Sequence, residues 1–294
     1  MEWKNHQIES LLDRALQEDI STGDTTTLLT IDPSLRATAT ILARQEMTVA
    51  GLGCIPAFLD RFAALHPTQS ARYEVIHHPE IFDGVAVRTG QPLAVIRHRA
   101  QALLSCERVI LNLLQHLSGI ATLTRRYADA LQGTKTRVLD TRKTVPGMRA
   151  LEKYAVLCGG GTNHRLDLAS GILIKNNHIA LGGGIARVLK QALEHRKPGQ
   201  RIQIEVRTPA ELEEALANGA EALLLDNMTP AEVKHSVDRI KREERWIPTE
   251  ASGGIVLENI RAYAEAGVDF ISVGALTHSA RAADISMRIL AEES

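Results

Sequence analysis

Between residues 137 and 175 the chain concentrates positive charge: Arg137, Arg142, Lys143, Arg149, Lys153, Arg165 and Lys175 stand against only Asp140, Glu152 and Asp167. Such a field draws small anions even when the whole protein is near neutral. Further on, Glu205 and Asp226 sit at or near the ends of short apolar runs, and two glycine turns, SGGI (252–255) and SVGA (272–275), follow two more. The missing Cβ of glycine lets a phosphate approach the backbone, and a helix amino end behind the turn supplies free N–H groups. Glu205 and Asp226 are candidates for holding a divalent cation shared with substrate phosphates, for taking ribose hydroxyls, or for balancing a developing positive charge. Any one charged residue at a strand end is ordinarily just solvated. The same habit at one strand end after another calls for a common cause.

The elements that must position these residues follow a regular beat. Apolar runs at TRVLD (136–140), GILIK (171–175), IQIEV (202–206), ALLLD (222–226), WIPTE (246–250) and FISVG (270–274) alternate with helical segments. In TPAEL, Thr208 caps, Pro209 takes the first helical position and Glu211 completes a capping box; TPAEV repeats this with Thr229, Pro230 and Glu232. Strand–helix alternation with runs apolar on both faces predicts an α/β fold with a parallel sheet. The spacing favours a barrel or open barrel, whose active site lies at the carboxyl ends of the strands. Thr141, Arg142, Lys143, Lys175, Glu205, Asp226, Ser252, Gly253, Gly254 and Gly274 all fall on that rim.

The first third reads differently. An amphipathic helix is expected over 7–18, strands in LRATATILARQEMTVAG, YEVIHH and GVAVRTGQPLAVIRH, and a helix in IPAFLDRFAAL. A long helix through SCERVILNLLQHLSG is expected to break or kink at Gly119 and to resume until Gly133.

Bulk properties exclude several classes. With 294 residues, 44% hydrophobic and 23% charged, the chain can bury a large core. A net charge of −1 and 3% aromatic residues give no nucleic-acid footprint. No apolar run of about 18 residues is present, and the charged start lacks a signal-peptide core, so no membrane partner and a cytoplasmic setting are expected. Cys54, Cys106 and Cys158 are too isolated for a disulfide framework, and His164 and His178 lack zinc-ligand spacing with them. The two histidines read as hydrogen-bonding residues.

The block LDTRKTVPGMRALEKYAVLCGGGTNHRLDLASGILIKNNHI (139–179) closely resembles the central signature of quinolinate phosphoribosyltransferases. The likeness continues through ERVILNLLQHLSGIAT, IEV, LLLDN, EASGGI and GVDFISVGALTHSARAADISMRIL, nearly the whole chain. It implies an N-terminal α/β sandwich domain (1–118), completed by a C-terminal helix (278–294), and a partly open barrel domain (119–277). It also implies a homodimer, with a hexamer as a further form.

By that resemblance quinolinate is held by Arg142, Lys143, His164, Arg165 and Lys175, with Arg108 reaching in from a partner subunit. Phosphoribosyl pyrophosphate would use Lys143, Lys175, Glu205, Asp226, the turn Ser252, Gly253 and Gly254, and the turn Ser272, Val273, Gly274 and Ala275, and Thr141 joins the substrate-binding residues. Magnesium would travel with the pyrophosphate and touch Glu205 and Asp226, with no organic cofactor. Lys143, Lys175, Glu205 and Asp226 carry the catalysis in this reading. The implied reaction gives nicotinate mononucleotide, pyrophosphate and carbon dioxide, for NAD biosynthesis. Asn176, Arg207, Asp167, Ser170 and Gly171 depart from the family's usual residues. Three rivals stand beside this reading: a nicotinate-type phosphoribosyltransferase without decarboxylation, an aldolase-like barrel with Lys175 as a Schiff base, and a non-catalytic binder of phosphorylated ligands.

Overall fold

A computed structural model describes residues 1–67 and 71–292. In chain order the elements are α1 (His6–Ile20), α2 (Thr25–Thr30), β1 (Arg36–Ala43), β2 (Met47–Thr48), α3 (Cys54–Leu65), β3 (Glu74–Ile76), β4 (Ala86–Val87), β5 (Pro92–Arg99), α4 (Ala100–Ala130), β6 (Arg137–Leu139), α5 (Arg149–Cys158) and β7 (Ile172–Ile174). They continue as α6 (Asn176–Gly182), α7 (Ile185–His195), β8 (Ile202–Val206), α8 (Pro209–Ala217), β9 (Ala222–Asp226), α9 (Pro230–Ile240), β10 (Thr249–Ser252), α10 (Ile260–Glu265), β11 (Phe270–Ser272), α11 (Ala275–His278) and β12 (Ile285–Ala291). The chain forms two compact units: Met1–Leu123 with Ala150–Gly160 and Ala280–Ser294, and Thr124–Arg149 with Gly161–Ser279.

The first unit is built on an antiparallel sheet in the order β12-β1-β5-β3. Strict alternation in β1 buries Ala37, Ala39, Ile41 and Ala43 on one face. Helices α1 and α3 supply Leu12, Leu16, Phe58 and Phe62, all fully buried, and Arg61 joins them through a two-point pair with Asp13 at 2.6 Å.

The sequence reading needs correction here. Among the described residues no helix closes the chain: residues 285–291 of the segment 278–294 form β12, paired antiparallel with β1 from Ala37↔Ala291 to Ala43↔Ile285. Ile285, Met287 and Ile289 alternate along it, and the open edge of β1 outweighs the helical propensity of the segment. The last two residues of that expected helix lie outside the described residues. Nor does α4 break at Gly119. The helix runs through, and glycine is needed there because a Cβ would collide with the backbone carbonyl of Arg281.

His98, on β5, is fully buried, and neither ring nitrogen has a hydrogen-bond partner among the described residues. Burial, with Arg36 and Arg99 nearby, pushes its pKa down from 6.5 to about 4. The unfolded chain then takes up a proton first as pH falls, so this group removes stability between pH 6.5 and 4. The loss reaches on the order of 3 kcal/mol at the acid end. His98→Leu should flatten that limb, measured by urea melts at pH 7 and pH 4.5.

In the second unit six strands run parallel in the order β6-β11-β10-β9-β8-β7, wrapped by helices as a partly open barrel. Strands β6 and β7 do not pair among the described residues. A segment at Thr162 docks on β6 instead: its N–H donates to Val138 O at 2.9 Å, and its carbonyl accepts from Asp140 N at 3.2 Å. Strand β10 starts at Thr249, not Trp246, because Pro248 has no N–H to give to a ladder.

The helix starts hold in part. Thr229 and Glu232 form a complete capping box, whereas Glu211 turns away from Thr208 to accept the N–H of Arg207 at 2.7 Å and pair with its guanidinium at 3.6 Å. Among the described residues no helix is long and apolar enough to cross a membrane.

Candidate active site

At the carboxyl ends of the barrel strands lies a cavity of about 600 Å³. Lys175 follows β7, Glu205 lies in β8, Asp226 ends β9, Ser252 ends β10 with Gly253 and Gly254 behind it, and Ser272 ends β11 before Val273, Gly274 and Ala275. All of these line the cavity, as do Thr141, Arg142 and Lys143 after β6 and His164 and Arg165 from the loop against β6. Of the residues expected at the site only Arg108 is not among the lining residues; it is exposed on α4, in the first unit.

The cations are arranged under mutual repulsion. Arg165 is held below the usual guanidinium range by burial and by the like charge of Arg142, with Asp167 opposing. One of its nitrogens donates to Gly171 O at 2.8 Å. The buried Nε of Arg142 has no hydrogen-bond partner among the described residues. Two guanidinium groups facing one space without full compensation make a receptor for a dianion, since a planar fork pairs with carboxylate through two parallel bonds. Lys143 is positioned through its backbone, whose carbonyl accepts from Thr277 Oγ1 at 2.8 Å and whose N–H donates to Thr141 Oγ1 at 3.0 Å.

The acidic side is equally specific. Burial and the neighbouring charge of Asp226 push the Glu205 carboxyl above its usual range, while Lys175, the N–H of Asn176 and Arg207 pull it back. A cation placed between these carboxylates would relieve both. Among the described residues no group of three or more His, Cys, Asp or Glu could by itself cage a metal.

Asn227 was not foreseen. It occupies the left-handed region with φ 56°, its N–H donates to Ser252 O at 2.8 Å, and its side-chain amide donates to Asp226 Oδ2 at 2.9 Å. It thus joins the β9 end to the glycine turn and fixes the rotamer of Asp226. Gly253, at φ 98°, must be glycine because a Cβ would strike the Asn227 side chain. Asn227→Ala is expected to cost about 1 kcal/mol of stability, because alanine tolerates the left-handed region poorly, and about tenfold in kcat through a freed Asp226. Asn227→Gly should restore the melting temperature and leave kcat low.

The helix reading of the glycine turns holds for only one of them. Helix α11 starts directly after Gly274, but α10 begins at Ile260, well beyond Gly254. A phosphate at Gly253 and Gly254 would therefore meet turn backbone, not a helix end.

Glu250, Gln203, Asp140 and His278 were also missed. His278 lines the cavity, and the carboxylate of Asp140 accepts the backbone N–H of His164 at 2.8 Å. Period-two alternation could have found Glu250 and Gln203: they lie two residues before Ser252 and Glu205 and share their faces. His178 acts as a cap, accepting the Lys175 N–H at 2.9 Å. Two unusual residues, Asp167 and Ser170, make a local turn in which Asp167 accepts from Ala169 N, Ser170 N and Ser170 Oγ.

Known proteins give this geometry a context. The family model described as quinolinate phosphoribosyl transferase, C-terminal domain, matches residues 120–288, and its N-terminal counterpart matches 24–118. A probable nicotinate-nucleotide pyrophosphorylase [carboxylating] of Bacillus subtilis is 42% identical over 97% of this chain and 94% of its own length. The nicotinate-nucleotide pyrophosphorylase [carboxylating] of Mycobacterium leprae is 40% identical over 93% of this chain and 94% of its own. The crystal structure of NadC from Streptococcus pyogenes superimposes with a TM-score of 0.90 at 34% identity, covering 98% of each chain. The chain belongs to the quinolinate phosphoribosyltransferase family.

Proposed function

We propose that this chain transfers the phosphoribosyl group of 5-phosphoribosyl 1-pyrophosphate to quinolinate with decarboxylation, as a pentosyltransferase of NAD biosynthesis. The carrying observation is a single cavity in which Arg142 and Arg165 repel one another opposite the raised carboxyl of Glu205 and its neighbour Asp226. One side suits a pyridine dicarboxylate and the other a ribose that becomes positive.

In this reading Arg142, Arg165 and Lys175 hold the two carboxylates of quinolinate, with the ring nitrogen facing the anomeric carbon. The bond from that carbon to pyrophosphate breaks, and Lys143 and the turns at 252–254 and 272–275 take the negative charge that leaves. Glu205 and Asp226 align the ribose hydroxyls and stabilise its oxocarbenium character. The nitrogen lone pair then forms the new bond to carbon. The carboxylate beside the pyridinium departs as carbon dioxide, its bonding electrons settle on the ring carbon under the positive nitrogen, and a proton from solvent replaces it. No enzyme nucleophile is needed, so positioning and electrostatics carry the rate. Magnesium would neutralise the leaving pyrophosphate, with Glu205 and Asp226 as the residues able to hold it alongside substrate oxygens.

A homodimer in the cytoplasm, with Arg108 offered to the neighbouring subunit's site, completes the proposal. The nicotinate-type and Schiff-base readings are not favoured by the named relatives. The test is an assay with quinolinate, phosphoribosyl pyrophosphate and magnesium that follows nicotinate mononucleotide and carbon dioxide. Turnover of nicotinate in place of quinolinate, without gas release, would overturn it.

A further inference from the structure

Beneath the cations lies a polar cluster that the reaction above does not use. Glu250, 3% exposed on β10, accepts through Oε2 from Gln203 Nε2 at 2.8 Å and from His164 Nε2 at 3.3 Å. The other ring nitrogen of His164, Nδ1, accepts the backbone N–H of Arg165 at 2.8 Å. A nitrogen that accepts an N–H carries no proton, so the imidazole proton sits on Nε2 and points at Glu250. His164 is then no simple carboxylate-binding cation. It is a strut whose two ends are a buried acid and the backbone of a substrate-facing arginine.

The cluster is also a partition. A second cavity of about 380 Å³ on its other side is lined by the same His164, Arg165, Glu250 and Gln203, together with Trp246, Pro248 and Phe270. The carboxylate thus stands between two spaces.

We propose that Glu250 is a positioning residue for the quinolinate end of the site: through the Nε2–H of His164 it fixes the imidazole, which orients Arg165 toward the substrate carboxylates. The proposal rests on the substrate reading given above for its kinetic consequence, but not for the tautomer it requires.

Two measurements separate these. In ¹⁵N-labelled protein without substrate, His164 should appear as a single tautomer protonated at Nε2; protonation at Nδ1, or averaging between the two, would overturn the proposal whatever the enzyme turns over. In steady-state kinetics Glu250→Gln is expected to lower kcat/KM for quinolinate about 30-fold, chiefly through KM, with KM for phosphoribosyl pyrophosphate within twofold of wild type. His164→Asn keeps an acceptor for the Arg165 N–H but cuts the link to Glu250, and should lose a similar factor. The double variant should be no worse than either single one, because both break the same strut. His164→Gln keeps a donor toward Glu250 but loses the acceptor for the Arg165 N–H, so it should be as impaired as His164→Asn. Losses that multiply in the double variant, or wild-type kinetics in Glu250→Gln, would refute it; a wild-type enzyme that ignores quinolinate but shows the Nε2–H tautomer would sink the substrate reading alone.

Discussion

Arg142→Ala should raise KM for quinolinate about 10²-fold, the scale of a lost charge-assisted pair of hydrogen bonds, while the unliganded protein melts no lower than wild type. The second half of that expectation follows from charge. Arg142 depresses the guanidinium of Arg165, so in the empty site the two destabilise each other. Its Nε is buried without a partner among the described residues, which adds a desolvation cost that outweighs its attraction to the exposed Asp167. Removing the side chain relieves both effects, and sites built to receive a charged ligand commonly trade stability in this way. Arg142→Lys should recover little, because an ammonium cannot make two parallel bonds to a carboxylate. Calorimetric melts without ligand, paired with quinolinate saturation curves, check both halves. A variant that melts several degrees lower and binds normally would reassign Arg142 to structure.

Much of this was legible in the sequence because barrels place chemistry where strands end. The runs ending at Asp140, Lys175 and Asp226 each delivered a polar residue at or next to the carboxyl end of a strand, and that position alone selects the mouth of the barrel. Glu250 escaped because it closes the run WIPTE as read from the sequence, with Ser252 and the glycine turn taken as the rim beyond it, whereas the strand runs on from Thr249 to Ser252 and puts Glu250 inside it. Only the pairing that sets Glu205 and Glu250 both beside Leu224 shows that they lie level across three neighbouring strands. Asn227 escaped because its role depends on a left-handed backbone, which no spacing pattern encodes.

The errors at the chain's end have a common origin. The periodicity of residues 285–291 is short enough to fit a helix or a strand, and the decision is made by β1, some 250 residues earlier, whose free edge must be covered. Likewise Gly119 looks like a helix breaker until the carbonyl of Arg281 is found against it. Both outcomes are tertiary, set by contacts between segments far apart in sequence.

The largest loss is expected from Lys175→Ala: kcat/KM should fall by roughly 10²–10³-fold, the scale of removing one preorganised charge donor from a transition state, with the fold intact. Structurally the change is mild. Lys175 is exposed in an open cavity, its backbone N–H is capped by His178, and neither feature needs the ammonium. Electrostatically it is severe, because Lys175 is the foremost charge that pulls the Glu205 carboxyl back down against burial and Asp226. Without it the Glu205 pKa must rise further. A carboxylate that has to be ionised to stabilise positive charge on the ribose will then be lost at a higher pH, so the acid limb of the kcat/KM profile should move upward in Lys175→Ala. Asp226→Asn should shift the same limb downward, since it removes the repulsion that raises Glu205. Opposite shifts in the two variants would tie the limb to Glu205. Equal shifts, or none, would assign it to another group and leave Lys175 as a binding charge only.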